Sequence, residues 1–181
     1  MTTKTNPFNV LGQLAALRRY ARSLVRNPED AEDLVHDTLV RALERKSSFR
    51  SDGSIRNWLL SILHNTHVDR LRRNRSLERR HREAGDMAEL VSPAGQDHSV
   101  RLSQVREAFL DLPDDQREAL HLVAIEELSY QEAATVLNIP MGTLMSRISR
   151  ARASLRAMEG GEDEKAVPRL RIVGGNPDDQ P

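Results

Sequence analysis

The chain has 181 residues, room for one ordinary domain or two small ones. Its 27 Lys/Arg balance 27 Asp/Glu, and the absence of cysteine excludes disulfides, thiolate metal sites, cysteine nucleophiles and iron–sulfur clusters. Charged residues make up 30 % and no apolar run approaches the ~20 residues of a membrane span, so a soluble, cytoplasmic chain is expected, with no secretory signal in Met1 to Leu11.

Aromatics are only 3 %, so the core must come from Leu, Val, Ile and Ala, which favours helices. Leu14, Leu17, Ala21 and Leu24 repeat at three and four residues and predict one face of a first helix, stopping near Asn27-Pro28. A second helix starts there, with Asn27 as N-cap, Pro28 at the first helical position and acids in the first turns. Its apolar stripe reads Ala31, Leu34, Val35, Leu39, Ala42 and Leu43; its other face holds Asp33, His36, Asp37, Arg41 and Glu44. Ser51 to Ser54 is a turn. A third helix is predicted from about Ile55 to Arg75, with Trp58, Leu59, Ile62 and Leu63 inward and arginines gathered at its far end.

Periodicity lapses over 77–100, where Ser92 to Asp97 reads as a loop, so the segment is expected to be a linker. Helical pattern returns near Arg101. Pro113-Asp114-Asp115 starts a helix running to about Glu127, and Ser129 to Glu132 forms a capping box for the next. That short helix ends at Asn138, a residue that tolerates the left-handed turn conformation. The last helix opens at Pro140 to Thr143 and runs to about Met158; the tail at 159–181 reads as disordered. The fold class is therefore all-α: two small helical domains, at 10–76 and 101–158, joined by a flexible linker.

The zero net charge hides an asymmetry. Residues 1–76 carry 14 Lys/Arg against 8 Asp/Glu, with a cluster at Arg70, Arg72, Arg73 and Arg75, whereas 101–158 carry 7 against 8. A local basic patch is the footprint of polyanion binding, although the same charges also suit a solvated helix end. The segment 128–156 pairs two helices across a tight turn, a helix-turn-helix. In its second helix Leu144, Ile148, Ala151 and Leu155 point to the core. Thr143, Ser146, Arg147, Arg150 and Ser154 fall on the opposite face, where hydroxyls and guanidiniums can reach phosphates and base edges of a major groove.

These residues carry a family resemblance. LSYQEAATVLNIPMGTLMSRISRARASLR resembles the −35-reading region of the extracytoplasmic-function (ECF) sigma factors, NPEDAEDLVHDTLVRALER their polymerase-binding helix, and FRSDGSIRNWLLSILHNTHVDRLRR their −10 region. The three blocks stand in the family's order over about residues 10–158, with no third domain between them. The ALRRYARSL and ILHN stretches resemble the branch that runs the general stress response in alphaproteobacteria.

The resemblance implies roles that periodicity does not supply. The exposed face of the second helix, with Asp33, Asp37 and Arg41, would dock on the β′ clamp helices of core RNA polymerase, with the β subunit as a further partner. The loop at Phe49, Arg50 and Ser51 and the helix behind it would hold a flipped −10 base, with Phe49 as stacking surface or pocket wall and Asn65 as donor and acceptor. Arg70, Arg72 and Arg73 would hold phosphates in a salt-sensitive contribution. Residues 101–158 would read −35 duplex, and an anti-sigma factor is an expected partner. No bond change is expected of the protein itself, hence no catalytic residue, cofactor or metal.

Four positions depart from the family pattern. Met145 stands where lysine is common, Asn138 where glycine is common, and His36 and Asp37 where Gln and Glu are usual. Three other readings stay open. A helix-turn-helix regulator explains 128–156 but not the acids of the second helix or the arginine-ended third one. A metalloenzyme would use His64 and His67, three apart with Asp69 nearby, yet no third well-placed ligand, nucleophile–base pair or Gly-rich phosphate loop is evident. These histidines are expected on the helix surface or close to DNA. A sigma-factor decoy would keep the same folds.

Overall fold

A computed structural model of the chain describes residues 8–50, 52–84 and 100–159, the side chains at 77–84, 100–103 and 159 excepted. The described residues form seven α-helices and no strand: α1 (Leu14–Leu24), α2 (Pro28–Glu44), α3 (Ile55–Ala84), α4 (Val100–Leu110), α5 (Asp114–Ala124), α6 (Tyr130–Leu137) and α7 (Met141–Glu159). Of the linker expected at 77–100, residues 77–84 belong to α3, Val100 opens α4, and 85–99 lie outside the described residues; of the tail expected at 159–181, Glu159 ends α7 and 160–181 lie outside them.

Local chemistry sets the helix ends. The Asn27 side chain accepts from Glu29 N–H at 2.7 Å, and Pro28 fills the first position, where its missing N–H costs nothing. The Ser54 hydroxyl accepts from Asn57 N–H at 3.3 Å at the start of α3. At α6 the capping box is complete: Ser129 Oγ takes Glu132 N–H, and Glu132 returns to Ser129 N–H at 2.9 Å. Asn138 takes the left-handed conformation (φ 52°, ψ 48°), turning the chain into α7 with Ile139 N–H bonded to Ala134 O at 3.0 Å.

Three expectations are corrected. Leu43 is 63 % exposed. The buried stripe of α2 runs through Ala31, Leu34, Val35, Thr38 and Ala42, and Thr38 answers its own hydroxyl by donating to Leu34 O at 2.7 Å. α3 does not stop near Arg75 but continues to Ala84, because no breaker intervenes before Gly85. α5 ends at Ala124 rather than near Glu127, because Glu127 takes a positive φ of 55° and Leu128 N–H folds back to Leu122 O at 3.0 Å.

The two halves share one core. Leu17, Tyr20, Leu34, Leu59, Leu60 and Leu63 from the first half belong to the same buried cluster as Leu122, Val136, Leu144 and Ile148 from the second. α1 packs on α5, and α3 packs on α6. A smaller cluster of Leu112, Leu120 and Ala151, with Phe109 and Leu155 against it, closes the far side of the second half.

Candidate nucleic-acid interface

α7 buries Leu144, Ile148 and Ala151 and turns Thr143, Ser146 and Arg150 to solvent, which is the face expected from the spacing. Arg150 Nη2 donates to Ser146 Oγ at 2.8 Å, one turn back, so the guanidinium is pre-aimed along the helix. Arg147 differs from its neighbours: it is half-buried and its Nε lies 3.4 Å from Asp115 of α5. Ser154 is also half-buried, near the second core cluster at Leu155. Met145 is 52 % exposed on the same helix.

In the loop after α2, Phe49 is half-buried. Its ring centroid lies 5.3 Å from that of Trp58 and 5.9 Å from that of Phe8. Trp58 packs against the core as expected. Arg50 and Asn65 are exposed, and Arg50 pairs with Asp52, also exposed, a contact of little energetic weight. Ser51 lies outside the described residues.

The structure joins two groups that the sequence assigned separately. Arg70, expected on phosphates, is clamped to α2: it pairs with Asp37 Oδ2 at 2.5 Å and donates to Asp33 O at 3.0 Å. Arg41 reaches the other way, to Asp69 at 3.1 Å. Asp37 and Arg41 are thus half-buried in an α2–α3 charge ladder, whereas Asp33 is exposed. Arg72 and Arg73 are exposed, with Arg73 Nε donating to Asp69 O at 3.3 Å.

The two histidines are buried, not on the surface: His64 is 7 % and His67 4 % exposed. The sequence pattern missed this because α3 is covered on one side by the second half of the chain. His64 Nδ1 faces Tyr20 Oη at 3.4 Å and the Glu118 carboxylate at 3.6 Å. Burial, with the neighbouring charges of His67 and Arg147, pushes His64 down to about 4. Burial likewise raises Glu118 to about 7, with Asp114 adding to the rise and Arg147 and Arg117 opposing it. No group of three or more His, Cys, Asp or Glu that could hold a metal occurs among the described residues.

Two further side chains hold the seam and were not singled out in the sequence. Glu126 is fully buried and accepts from Arg19 at 3.0 Å, from Arg56, and from His121 Nε2 at 3.3 Å. Burial alone would raise this carboxyl, but the bonds from His121, Arg19 and Arg56 outweigh it and hold it down at about 2. Arg117, 5 % exposed, donates to Ser23 O at 2.6 Å and Leu112 O at 2.7 Å, and pairs with Asp114 at 2.6 Å. Asn57 adds a bond to Glu132 at 2.8 Å. These partners lie up to 107 positions apart, beyond the reach of periodicity or capping signals.

Residues 13–77 match the Sigma-70 region 2 family and residues 102–155 match the Sigma-70, region 4 family. The ECF RNA polymerase sigma factor EcfG of Rhodopseudomonas palustris is 36 % identical over 173 residues, which cover 93 % of this chain and 94 % of that one. The chain belongs to the ECF RNA polymerase sigma factors. Among solved structures it resembles the sigma factor RpoE of Bartonella quintana in complex with the anti-sigma factor NepR, at 33 % identity and a TM-score of 0.70, covering 85 % of this chain and 96 % of that one. It also resembles CnrH in complex with the cytosolic domain of CnrY, at 31 % identity and a TM-score of 0.60, covering 85 % of this chain and 86 % of that one. As a sigma factor it acts in promoter-specific transcription initiation, and α6–α7 is the helix-turn-helix of its region 4. None of its described helices is long and apolar enough to cross a membrane.

Proposed function

We propose that this sigma factor divides promoter reading between its halves. Residues 10–76 bind core polymerase through Asp33, Asp37 and Arg41 on α2, at the β′ clamp helices, with further contact to the β subunit. The same half captures unstacked −10 bases with Phe49, Arg50, Ser51 and Asn65, while Arg70, Arg72 and Arg73 favour the adjoining phosphates. Residues 101–158 read the −35 duplex through Thr143, Ser146, Arg147, Arg150 and Ser154. Residues 77–100 set the distance between the two, and 159–181 form a tail.

The observation that carries this reading is the two-faced α7, which buries Leu144, Ile148 and Ala151 and exposes Thr143, Ser146 and Arg150 directly after a capped tight turn. The protein works in the cytoplasm as a subunit of polymerase and changes no bond itself. An anti-sigma factor is its expected inhibitor, since relatives that cover most of this fold are seen in complex with NepR and CnrY. The likeness to EcfG supports placement in the alphaproteobacterial general-stress branch.

Run-off transcription with purified core polymerase and promoter fragments tests it. Discrete transcripts that need this protein and share −35 and −10 elements are expected. Absence of transcripts, together with a dimer that shifts a palindromic duplex without polymerase, would replace this reading with that of a helix-turn-helix regulator.

A further inference from the structure

The short segment before α1 is tied down at three consecutive residues. Val10 packs against the main core. Asn9 Oδ1 accepts from Gly12 N–H at 3.0 Å, and a Cβ on Gly12 would come within 2.9 Å of the Asn9 side chain, so glycine keeps that cap in place. Phe8 is thereby delivered to the loop after α2. Its ring stands 5.9 Å from Phe49 and 6.0 Å from Trp58, edge-on to the latter, and the Lys46 ammonium lies 5.1 Å from its centroid. With Phe49 and Trp58 at 5.3 Å, the three rings close a triangle in a chain with few aromatics.

Trp58 belongs to α3 and is fixed by the core, so Phe8 is the outer wall that confines Phe49. We infer that Phe8 is a positioning residue for −10 recognition: it holds the Phe49 ring against Trp58, so that the loop's base-holding surface is set before an unstacked base arrives. This rests on the proposed reading of the Phe49 loop as the −10 site. Its physical content is pre-organisation. A wall that must be ordered on binding weakens affinity and blurs discrimination between bases, without touching the rest of the protein.

The test uses full-length Phe8→Ala, Phe8→Tyr and Phe49→Ala proteins assembled with core polymerase. The probes are a labelled single-stranded −10 oligonucleotide from an active promoter, a version with one base changed, and a −35 duplex. Phe8→Ala is expected to weaken oligonucleotide binding by roughly three- to tenfold, the scale of a lost aromatic pair, and to narrow the gap between correct and altered oligonucleotides. Affinity for core polymerase and for the −35 duplex should stay at the wild-type level, and Phe8→Tyr should restore −10 binding. If Phe49→Ala loses −10 binding while Phe8→Ala matches wild type, the inference fails and the loop reading stands. If Phe49→Ala also binds normally, the loop reading fails and takes the inference with it. Equal losses on every probe, without rescue by tyrosine, would reduce Phe8 to a general structural residue and overturn the positioning role.

Discussion

Arg19 and Glu126, 107 positions apart, meet in a two-bond ion pair, Nε to Oε1 and Nη2 to Oε2, both at 3.0 Å. The carboxylate is fully buried, and Arg56 and His121 complete its shell. It therefore ties α1 and α3 of the first half to the turn after α5 in the second. Removing its charge leaves two guanidiniums facing a neutral amide. Glu126→Gln should lower stability by about 2 kcal/mol, because the arginines are part-exposed and recover some hydration. Thermal unfolding at neutral pH should show this as a lower midpoint. The held-down carboxyl adds a pH signature. Its contribution is complete above about 4.5 and is lost as pH falls towards about 2, and the variant should lack that loss.

Glu118 and His64 work in opposite senses across the same seam. A carboxyl raised to about 7 contributes stability that is full below about 4.5 and fades as pH rises through 7. A histidine lowered to about 4 contributes stability above about 6.5 that fades as pH falls towards 4. His67, also lowered chiefly by burial, adds to the acid-side loss. Glu118→Gln should therefore gain stability at pH 8, on the order of 2 kcal/mol, and little at pH 4.5. Denaturant titrations at both pH values check this; a gain of equal size at both would contradict it.

Arg117 gathers carbonyls from both halves into one buried guanidinium. Arg117→Leu keeps apolar bulk but strands the oxygens of Ser23 and Leu112, so a loss of about 3 kcal/mol is expected. The measurement is equilibrium denaturation. A near-neutral effect would mean that water replaces the guanidinium without strain.

The Arg70–Asp37 pair predicts coupling between polymerase binding and the basic end of α3. Asp37→Ala and Arg70→Ala should be non-additive in core-polymerase affinity, with an interaction of about 1 kcal/mol in a double-mutant cycle. Simple additivity would place Arg70 on DNA alone.

The packed halves also predict opening. Elements named for positions −35 and −10 lie about 85 Å apart along B-DNA at 3.4 Å per base pair, whereas α6 rests directly on α3 here. The chain has no cysteine, so single cysteines at Arg45 and Arg152, both exposed, can carry a dye pair. Energy transfer should be lower in the polymerase–promoter complex than in the free protein; an unchanged value would contradict separation of the halves.

Much of this organisation was legible in the sequence because it is local. The Asn27 cap, the Ser129–Glu132 box, the turn at Asn138 and the two faces of α7 each depend on residues within four positions of one another. What stayed hidden depends on chain segments far apart. His64 and His67 look like surface residues until the second half covers α3, and Glu126 gives no local sign of its three partners. Nothing local links Arg70 to Asp37, because their pairing crosses 33 positions. Leu43 fits the apolar pattern yet points outward for a smaller reason: it lies one residue beyond the last inward position of α2, Ala42.

The division of promoter reading is tested most directly by run-off transcription with one variant from each half, on promoters altered separately in the −10 and −35 elements. Asn65→Ala should change the response to −10 substitutions and leave the response to −35 substitutions intact. Arg150→Ala should do the reverse. If either variant alters both responses equally, or neither alters any, the two halves do not read the two elements independently and the division is wrong.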